Sequence, residues 1–316
     1  MGSKSSTILD RIDFSKIFEI EKGKVLGLQL PDGLKYWARE IAKFLEEKGY
    51  EVIISASPTY GSCDVDLNLL KHVDYLIHLA HSSTKFERVI FVPYFYEYHI
   101  DVELIKKTVK ERKIALAGTA NYAWKFGEVA EELEKSGYDV FLGKGDLEFE
   151  GQILGCNFTS LRGEYEAVLF IGDGLFHPLG IAFLGKKVYR YSPLSGEIEE
   201  VKADEFKKER YKIATKAIHC EKFGILVSSK PGQINLKKAR EALKILKEKG
   251  KEAFIIFCDE ITPEKLRNFD FDCYVNTACP RIAYDDWKKF DKPIITLPEL
   301  KFAFGIERDI LPDFKY

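Results

Sequence analysis

Lys24-Val25-Leu26-Gly27-Leu28, a mixed polar and apolar segment over residues 36–48 that stops at Gly49, and then Tyr50-Glu51-Val52-Ile53-Ile54-Ser55 decide the fold. An apolar run, an amphipathic segment closed by a glycine suited to a left-handed cap, and a second apolar run read as strand, helix and strand. Such a unit carries the right-handed crossover of a parallel sheet. The pattern returns twice. Lys113-Ile114-Ala115-Leu116-Ala117 leads through residues 126–136 to Gly137 and a strand over 138–142. Lys222-Phe223-Gly224-Ile225-Leu226 leads through residues 236–249 to Gly250 and a strand over 252–257. A third strand follows each time, over 75–79, 167–171 and 273–275, and a hairpin over 188–197 with Ser195-Gly196 at its turn embellishes the second unit. The expectation is an α/β protein of three small parallel-sheet domains related as divergent repeats. Boundaries near 106 and 200 give domains over 1–106, 107–200 and 201–316.

The composition excludes several classes of function. The 316 residues are 46% hydrophobic and 31% charged, which is the make-up of a globular protein rather than a disordered one. Lys plus Arg number 48 against 50 for Asp plus Glu, so the net charge of -2 offers no field for gripping nucleic acid. No apolar stretch approaches the roughly 20 residues of a membrane helix, and the start lacks the apolar core of a secretory signal. A cytoplasmic protein without a membrane partner is expected. Met1-Gly2-Ser3-Lys4-Ser5-Ser6 fits a myristoylation pattern only formally and is set aside. No Ser-His-Asp ordering, phosphate loop or dinucleotide fingerprint competes for the chemistry.

Six cysteines occur, none in a CxxC pair. Cys220, Cys258 and Cys273 sit among Ile, Phe or Val and read as buried free thiols. The other three stand in loops. Cys63 lies in Pro58-Thr59-Tyr60-Gly61-Ser62-Cys63-Asp64 and Cys156 in Gly151-Gln152-Ile153-Leu154-Gly155-Cys156-Asn157, each beyond a second strand. Cys279 follows a third strand in Asn276-Thr277-Ala278-Cys279-Pro280-Arg281. Each domain thus presents a loop cysteine at the carboxyl side of its sheet, where open α/β sheets bind ligands. Three converging thiolates suit a soft metal centre, and three ligands to a four-iron cluster leave one iron open. Packing cysteines are the alternative.

Around these loops run Gln29-Leu30-Pro31-Asp32-Gly33-Leu34, Tyr60-Gly61-Ser62-Cys63-Asp64-Val65-Asp66 and His78-Leu79-Ala80-His81-Ser82. Gly151-Gln152-Ile153-Leu154-Gly155-Cys156, Ile171-Gly172-Asp173-Gly174 with Phe176-His177-Pro178, and Thr277-Ala278-Cys279-Pro280-Arg281-Ile282-Ala283-Tyr284-Asp285-Asp286 complete the set. In this order, and over nearly the whole chain, they closely resemble the family of the first-step enzyme of diphthamide biosynthesis, archaeal 2-(3-amino-3-carboxypropyl)histidine synthase. Asp64 is a departure, since many relatives carry a second cysteine there.

The resemblance implies a homodimer in which Cys63, Cys156 and Cys279 hold a 4Fe-4S cluster. It implies S-adenosylmethionine as cosubstrate, cleaved between sulfur and the methionine γ-carbon to give methylthioadenosine and a 3-amino-3-carboxypropyl radical. It further implies transfer of that group to imidazole C2 of a histidine in elongation factor 2, with a separate electron donor for the cluster. The CxxxCxxC signature of ordinary radical enzymes of this cofactor is absent. A non-catalytic iron-sulfur electron-transfer subunit is the other reading, and a nucleoside-binding protein without metal a third.

Further cofactor contacts follow from the same resemblance. Gln29, Asp32 and Gly33, and Ser228 and Gln233, follow the first strands of domains one and three, where small residues let backbone approach a ligand. Plain turns near a helix cap would use the same residues. Asp173 and Gly174 suit ribose hydroxyls or an ammonium group, or simply close a turn. Arg281 suits a bidentate grip on the methionine carboxylate, or an ion pair with Asp285 or Asp286. Period-two geometry puts His78 and His81 on opposite faces and makes them structural. Cys258 rivals Cys279 by repeat position, but a buried Ile255-Ile256-Phe257 run beside it favours Cys279.

Overall fold

Central strands of a parallel sheet are covered on both faces and therefore have apolar interiors, as Val25–Gln29, Ala167–Ile171 and Lys222–Ser228 do between their ends. The computed structural model describes residues 8–81, 86–310 and 312–316; Met1 to Ser6 and Ser82 lie outside the described residues.

Three sheets form. The first contains β1 (Val25–Gln29), β2 (Glu51–Ile54), β3 (Tyr75–Leu79) and β4 (Val89–Val92) in the order β2-β1-β3-β4, all parallel. The second contains β5 (Lys113–Gly118), β6 (Asp139–Phe141), β7 (Ala167–Ile171), β8 (Val188–Ser192) and β9 (Glu197–Val201), ordered β6-β5-β7-β8-β9. Only β9 is antiparallel, because the turn at Gly196, with φ of 69°, folds it straight back onto β8. The third contains β10 (Lys222–Ser228), β11 (Glu252–Cys258), β12 (Cys273–Asn276) and β13 (Ile294–Thr296), ordered β11-β10-β12-β13. Each sheet sets its second strand on one side of the first and its third on the other, so a crevice opens at the carboxyl ends between them.

The crossover helices carry the expected periodicity. Ala38–Glu47 buries Ala38, Ile41, Ala42 and Leu45, and Phe126–Lys135 buries Phe126, Val129, Ala130 and Leu133, both at the i, i+3, i+4, i+7 positions of one helical face. Leu236–Glu248 buries Ala239, Ala242, Ile245 and Leu246. Gly49, Gly137 and Gly250 then turn left-handed at φ of 94°, 95° and 72°, closing all three. Each sheet has its own apolar core.

Several details differ from the sequence reading. A division near 106 falls inside helix Val102–Thr108, whose Ile105 is buried in the core of the second sheet, and one near 200 falls inside β9. Cys220 and Cys273 are not free: they form a disulfide with Cα atoms 6.1 Å apart. Cys220 follows helix Asp204–Ala217 and meets the first residue of β12, and closing 53 residues of chain is worth about 4 kcal/mol in the loop-entropy picture. The run beside Cys258 is not buried, since β11 is an edge strand and Phe257 is 62% exposed. No helix among the described residues is long and apolar enough to cross a membrane.

Candidate metal centre

Cys63 sits in the connection between β2 and β3, a stretch anchored by one amide. Gln29, buried at the end of β1, donates from Nε2 to Thr59 Oγ1 at 3.1 Å and to the Asp64 carbonyl at 2.6 Å. Its Oε1 accepts the Asp66 N–H at 3.0 Å. With that orientation fixed by partners that can only donate or only accept, His78 Nδ1 must be the donor in its 3.0 Å bond to Gln29 Oε1. His78 Nε2 then accepts from His81 Nδ1 at 2.8 Å. The two histidines therefore meet rather than face apart, because β3 ends at Leu79 and Ala80 turns the chain at φ of 66°. Burial pushes His78 down to about 3 and His81 to about 4, so both are neutral struts.

Cys156 stands in a tight loop closed by paired bonds between Leu154 and Asn157, 2.9 and 3.0 Å long. A strap from the far end of the chain runs alongside. Lys315 N–H donates to the Cys156 carbonyl at 2.9 Å, and Phe158 N–H donates to the Lys315 carbonyl at 2.7 Å. Asp313 in the same strap pairs with Lys238 of helix Leu236–Glu248 at 2.5 Å, tying this loop to the third sheet. Gly155 is required here: the ring of Phe176 occupies the place of a side chain.

Cys279 is the N-cap of helix Pro280–Tyr284, with Pro280 in the first turn and Asn276 Nδ2 donating to the Cys279 carbonyl at 2.8 Å. The Arg281 guanidinium lies 5.3 Å from the centre of the Phe176 ring, so one aromatic side chain touches both the Cys156 and the Cys279 neighbourhoods.

The three loops face one region: Gln233 donates to Cys63 Sγ and lines the same cavity as Cys279, and Phe176 joins the Cys156 and Cys279 sides. Burial pushes Cys279 up to about 12, and the charges of Cys63 and Cys156 oppose its ionisation further, against the Arg281 N–H and guanidinium. Cys156 is raised by burial and then by Cys63; Cys63 is raised by burial and lowered by the Gln233 amide. The Cys258 thiol is raised by burial and answers to Lys265 and Asp259, but to none of the three. Among the described residues no His, Cys, Asp or Glu group of three or more is tight enough for a single ion. A four-iron cluster makes a different demand: it takes each thiolate on a separate iron, so its ligands stand wider apart. An all-thiol set gathered from three loops fits such a cluster, and the neutral thiols would release protons on binding it.

Beside Cys279 lies a cavity lined by Ser228, Gln233 and Arg281, as expected, and also by Tyr60, Lys230 and Glu260. Those last three escaped the sequence reading, although Tyr60 stands within a quoted loop and Lys230 lies between Ser228 and Gln233. Gln233 donates from Nε2 to Cys63 Sγ at 3.4 Å, and the Ser228 hydroxyl accepts the Lys230 N–H at 3.1 Å. Arg281 pairs through Nε with Asp285 at 2.8 Å, which leaves its two terminal nitrogens for another anion.

Five expected cofactor contacts do not line this cavity. The Gln29 amide is engaged on every side within the protein, which makes it a scaffold for the Cys63 loop. Asp32 pairs with Lys35 at 2.7 Å, and adjacent Gly33 faces open space. The Asp173 carboxylate accepts from the hydroxyls of Tyr122 and Ser192, which tie it to neighbouring elements beside Gly174, left-handed at φ of 77°.

The family described as "Putative diphthamide synthesis protein" matches residues 30–314. The Pyrococcus horikoshii protein named 2-(3-amino-3-carboxypropyl)histidine synthase is 37% identical over 295 residues, covering 89% of this chain and 86% of its own. The Methanocaldococcus jannaschii protein of the same name is 30% identical, covering 86% and 82%. The crystal structure of Dph2 from Pyrococcus horikoshii with a 4Fe-4S cluster superposes with a TM-score of 0.87 at 35% identity, over 95% of this chain and 91% of that one. With the family model matching residues 30–314 and the similarity covering most of the chain, the chain belongs to the diphthamide synthesis protein family.

Proposed function

We propose that the protein is a 2-(3-amino-3-carboxypropyl)histidine synthase. It transfers the 3-amino-3-carboxypropyl group of S-adenosylmethionine to imidazole C2 of a histidine in elongation factor 2 and releases methylthioadenosine. The observation that carries this reading is that Gln233, which donates to Cys63 Sγ, lines the same cavity as Cys279 and Arg281, while Phe176 links that side to the Cys156 loop. Those three thiolates would hold a 4Fe-4S cluster, which when bound supplies the electron that breaks the bond between sulfur and the γ-carbon. The protein's own residues orient the cosubstrate. Arg281 offers its free terminal nitrogens to the methionine carboxylate, and Ser228 and Gln233 line the same cavity. The sheets contribute one cysteine loop each, and their common strand order supports descent from one ancestral unit. A cytoplasmic homodimer fed by a separate electron donor completes the proposal.

The test is a product assay. Anaerobic protein reduced with dithionite is expected to convert S-adenosylmethionine to methylthioadenosine, read by chromatography. Predominant 5'-deoxyadenosine would overturn the orientation, and a reducible cluster without any cleavage would point to an electron-transfer subunit instead.

Arg281→Lys tests the cavity. Lysine keeps the charge but lacks the planar fork, so cosubstrate affinity is expected to fall about tenfold, the cost of roughly 1.4 kcal/mol, while iron content stays at the wild-type level. Unchanged affinity by calorimetry would leave Arg281 as the partner of Asp285 alone.

A further inference from the structure

The loop after β10 does more than line the cavity: it crosses to the first sheet and closes on the Cys63 loop. Gly232 N–H donates to the Cys63 carbonyl at 3.1 Å. A Cβ on Gly232 would stand 2.6 Å from Cys63 Cα, so only glycine permits this approach. Two residues earlier, Lys230 Nζ lies 2.7 Å from Asp64 Oδ2 and 2.9 Å from Glu260 Oε1. The Tyr60 ring centre lies 5.2 Å from the same ammonium.

The arrangement has a direction. Glu260 follows β11 in the third sheet and fixes Lys230 within its own unit, whereas Asp64 directly follows Cys63 in the first. The Lys230 and Asp64 side chains are only 14% and 7% exposed, so solvent screens their attraction weakly. The Asp64 carbonyl is in turn held by Gln29 at 2.6 Å. A charge on the third sheet therefore pins the backbone next to the Cys63 sulfur.

We propose that Lys230 is a positioning residue for the metal centre: by bridging Glu260 and Asp64 it locks the Cys63 loop onto the third unit and sets where Cys63 stands relative to Cys279. This rests on the cluster reading given above. Partners beyond the direct ligands typically alter metal retention by about 10- to 100-fold, and they alter the electronic structure of the centre because they orient its ligands.

The test compares Lys230→Met, Lys230→Arg and wild type after anaerobic reconstitution with ferrous iron and sulfide. Lys230→Met is expected to match wild type in circular dichroism before reconstitution. It should lose iron to a chelator about tenfold faster and show shifted g values in the electron paramagnetic resonance spectrum of the reduced protein. Lys230→Arg should recover most of both properties. Wild-type iron retention with an unshifted spectrum in Lys230→Met, or no recovery in Lys230→Arg, would overturn the proposal. Should Lys230→Met fail to fold, Asp64→Asn removes the same cross-unit charge and is judged by the same criteria. A wild-type protein that binds no cluster, or a Cys279→Ala variant that keeps one, would sink the cluster reading instead, so the two failures are distinguishable.

Discussion

Replacing Cys279 by alanine is expected to abolish S-adenosylmethionine cleavage, by more than about 100-fold, and to remove the reduced-cluster signal, whereas Cys258→Ala should leave both intact. The two residues are rivals by position in the third unit, and the structure separates them. Cys279 caps a helix opened by Pro280, lines the cavity, and its thiol responds to the charges of Cys63 and Cys156. Cys258 ends an edge strand, and its thiol responds only to Lys265 and Asp259 besides its burial. Iron content and electron paramagnetic resonance on both variants decide the matter. A retained signal in Cys279→Ala with loss in Cys258→Ala would mean that the third ligand is set by repeat position.

Arg210→Met should destabilise the fold by about 3–5 kcal/mol, because it strands the Glu299 carboxylate in the interior. Both side chains are 0% exposed, and they meet through two parallel bonds of 2.6 Å. The guanidinium also donates to the Ala283 carbonyl at 2.7 Å and the Ile294 carbonyl at 3.0 Å, while Glu299 accepts the Thr296 N–H at 2.7 Å in a capping box. Ala283 belongs to the helix that Cys279 caps, so the effect reaches the metal centre as looser iron binding. Denaturant unfolding of the single variant and of Arg210→Met/Glu299→Met measures it. The double variant should recover most of the loss, since matched apolar side chains replace buried ion pairs at little cost. A single-variant loss below about 1 kcal/mol would show that the pair is dispensable.

The units were legible because their signals are local. A run such as Lys222-Phe223-Gly224-Ile225-Leu226, a helical face at i, i+3, i+4, i+7 and a glycine at positive φ are each signals carried by short stretches of chain. The loop cysteines were legible through their place after strands, and their neighbours through the family resemblance. What escaped was set by contacts between distant parts of the chain. Lys230 and Asp64 are 166 residues apart, and Cys220 and Cys273 are 53 apart, so no window on the sequence shows either pairing. His78 and His81 are the structural, hydrogen-bonded histidines expected, but they do not lie on opposite faces, since strand alternation fails where Ala80 takes a left-handed conformation. Gln29 and Asp173 are polar residues at strand ends, equally suited to a ligand or to a turn. Only the full set of hydrogen bonds assigns them to the protein's own loops.

The strap at Asp313 and Lys315 has a consequence for the timing of biogenesis. A ribosome makes Cys63 and Cys156 before the groups that close on them, Gly232 against Cys63 and Lys315 against Cys156. A nascent chain therefore exposes its first two thiols as independent donors without a common pocket. On the cluster reading proposed above, metal loading is therefore expected only once the third unit has been made.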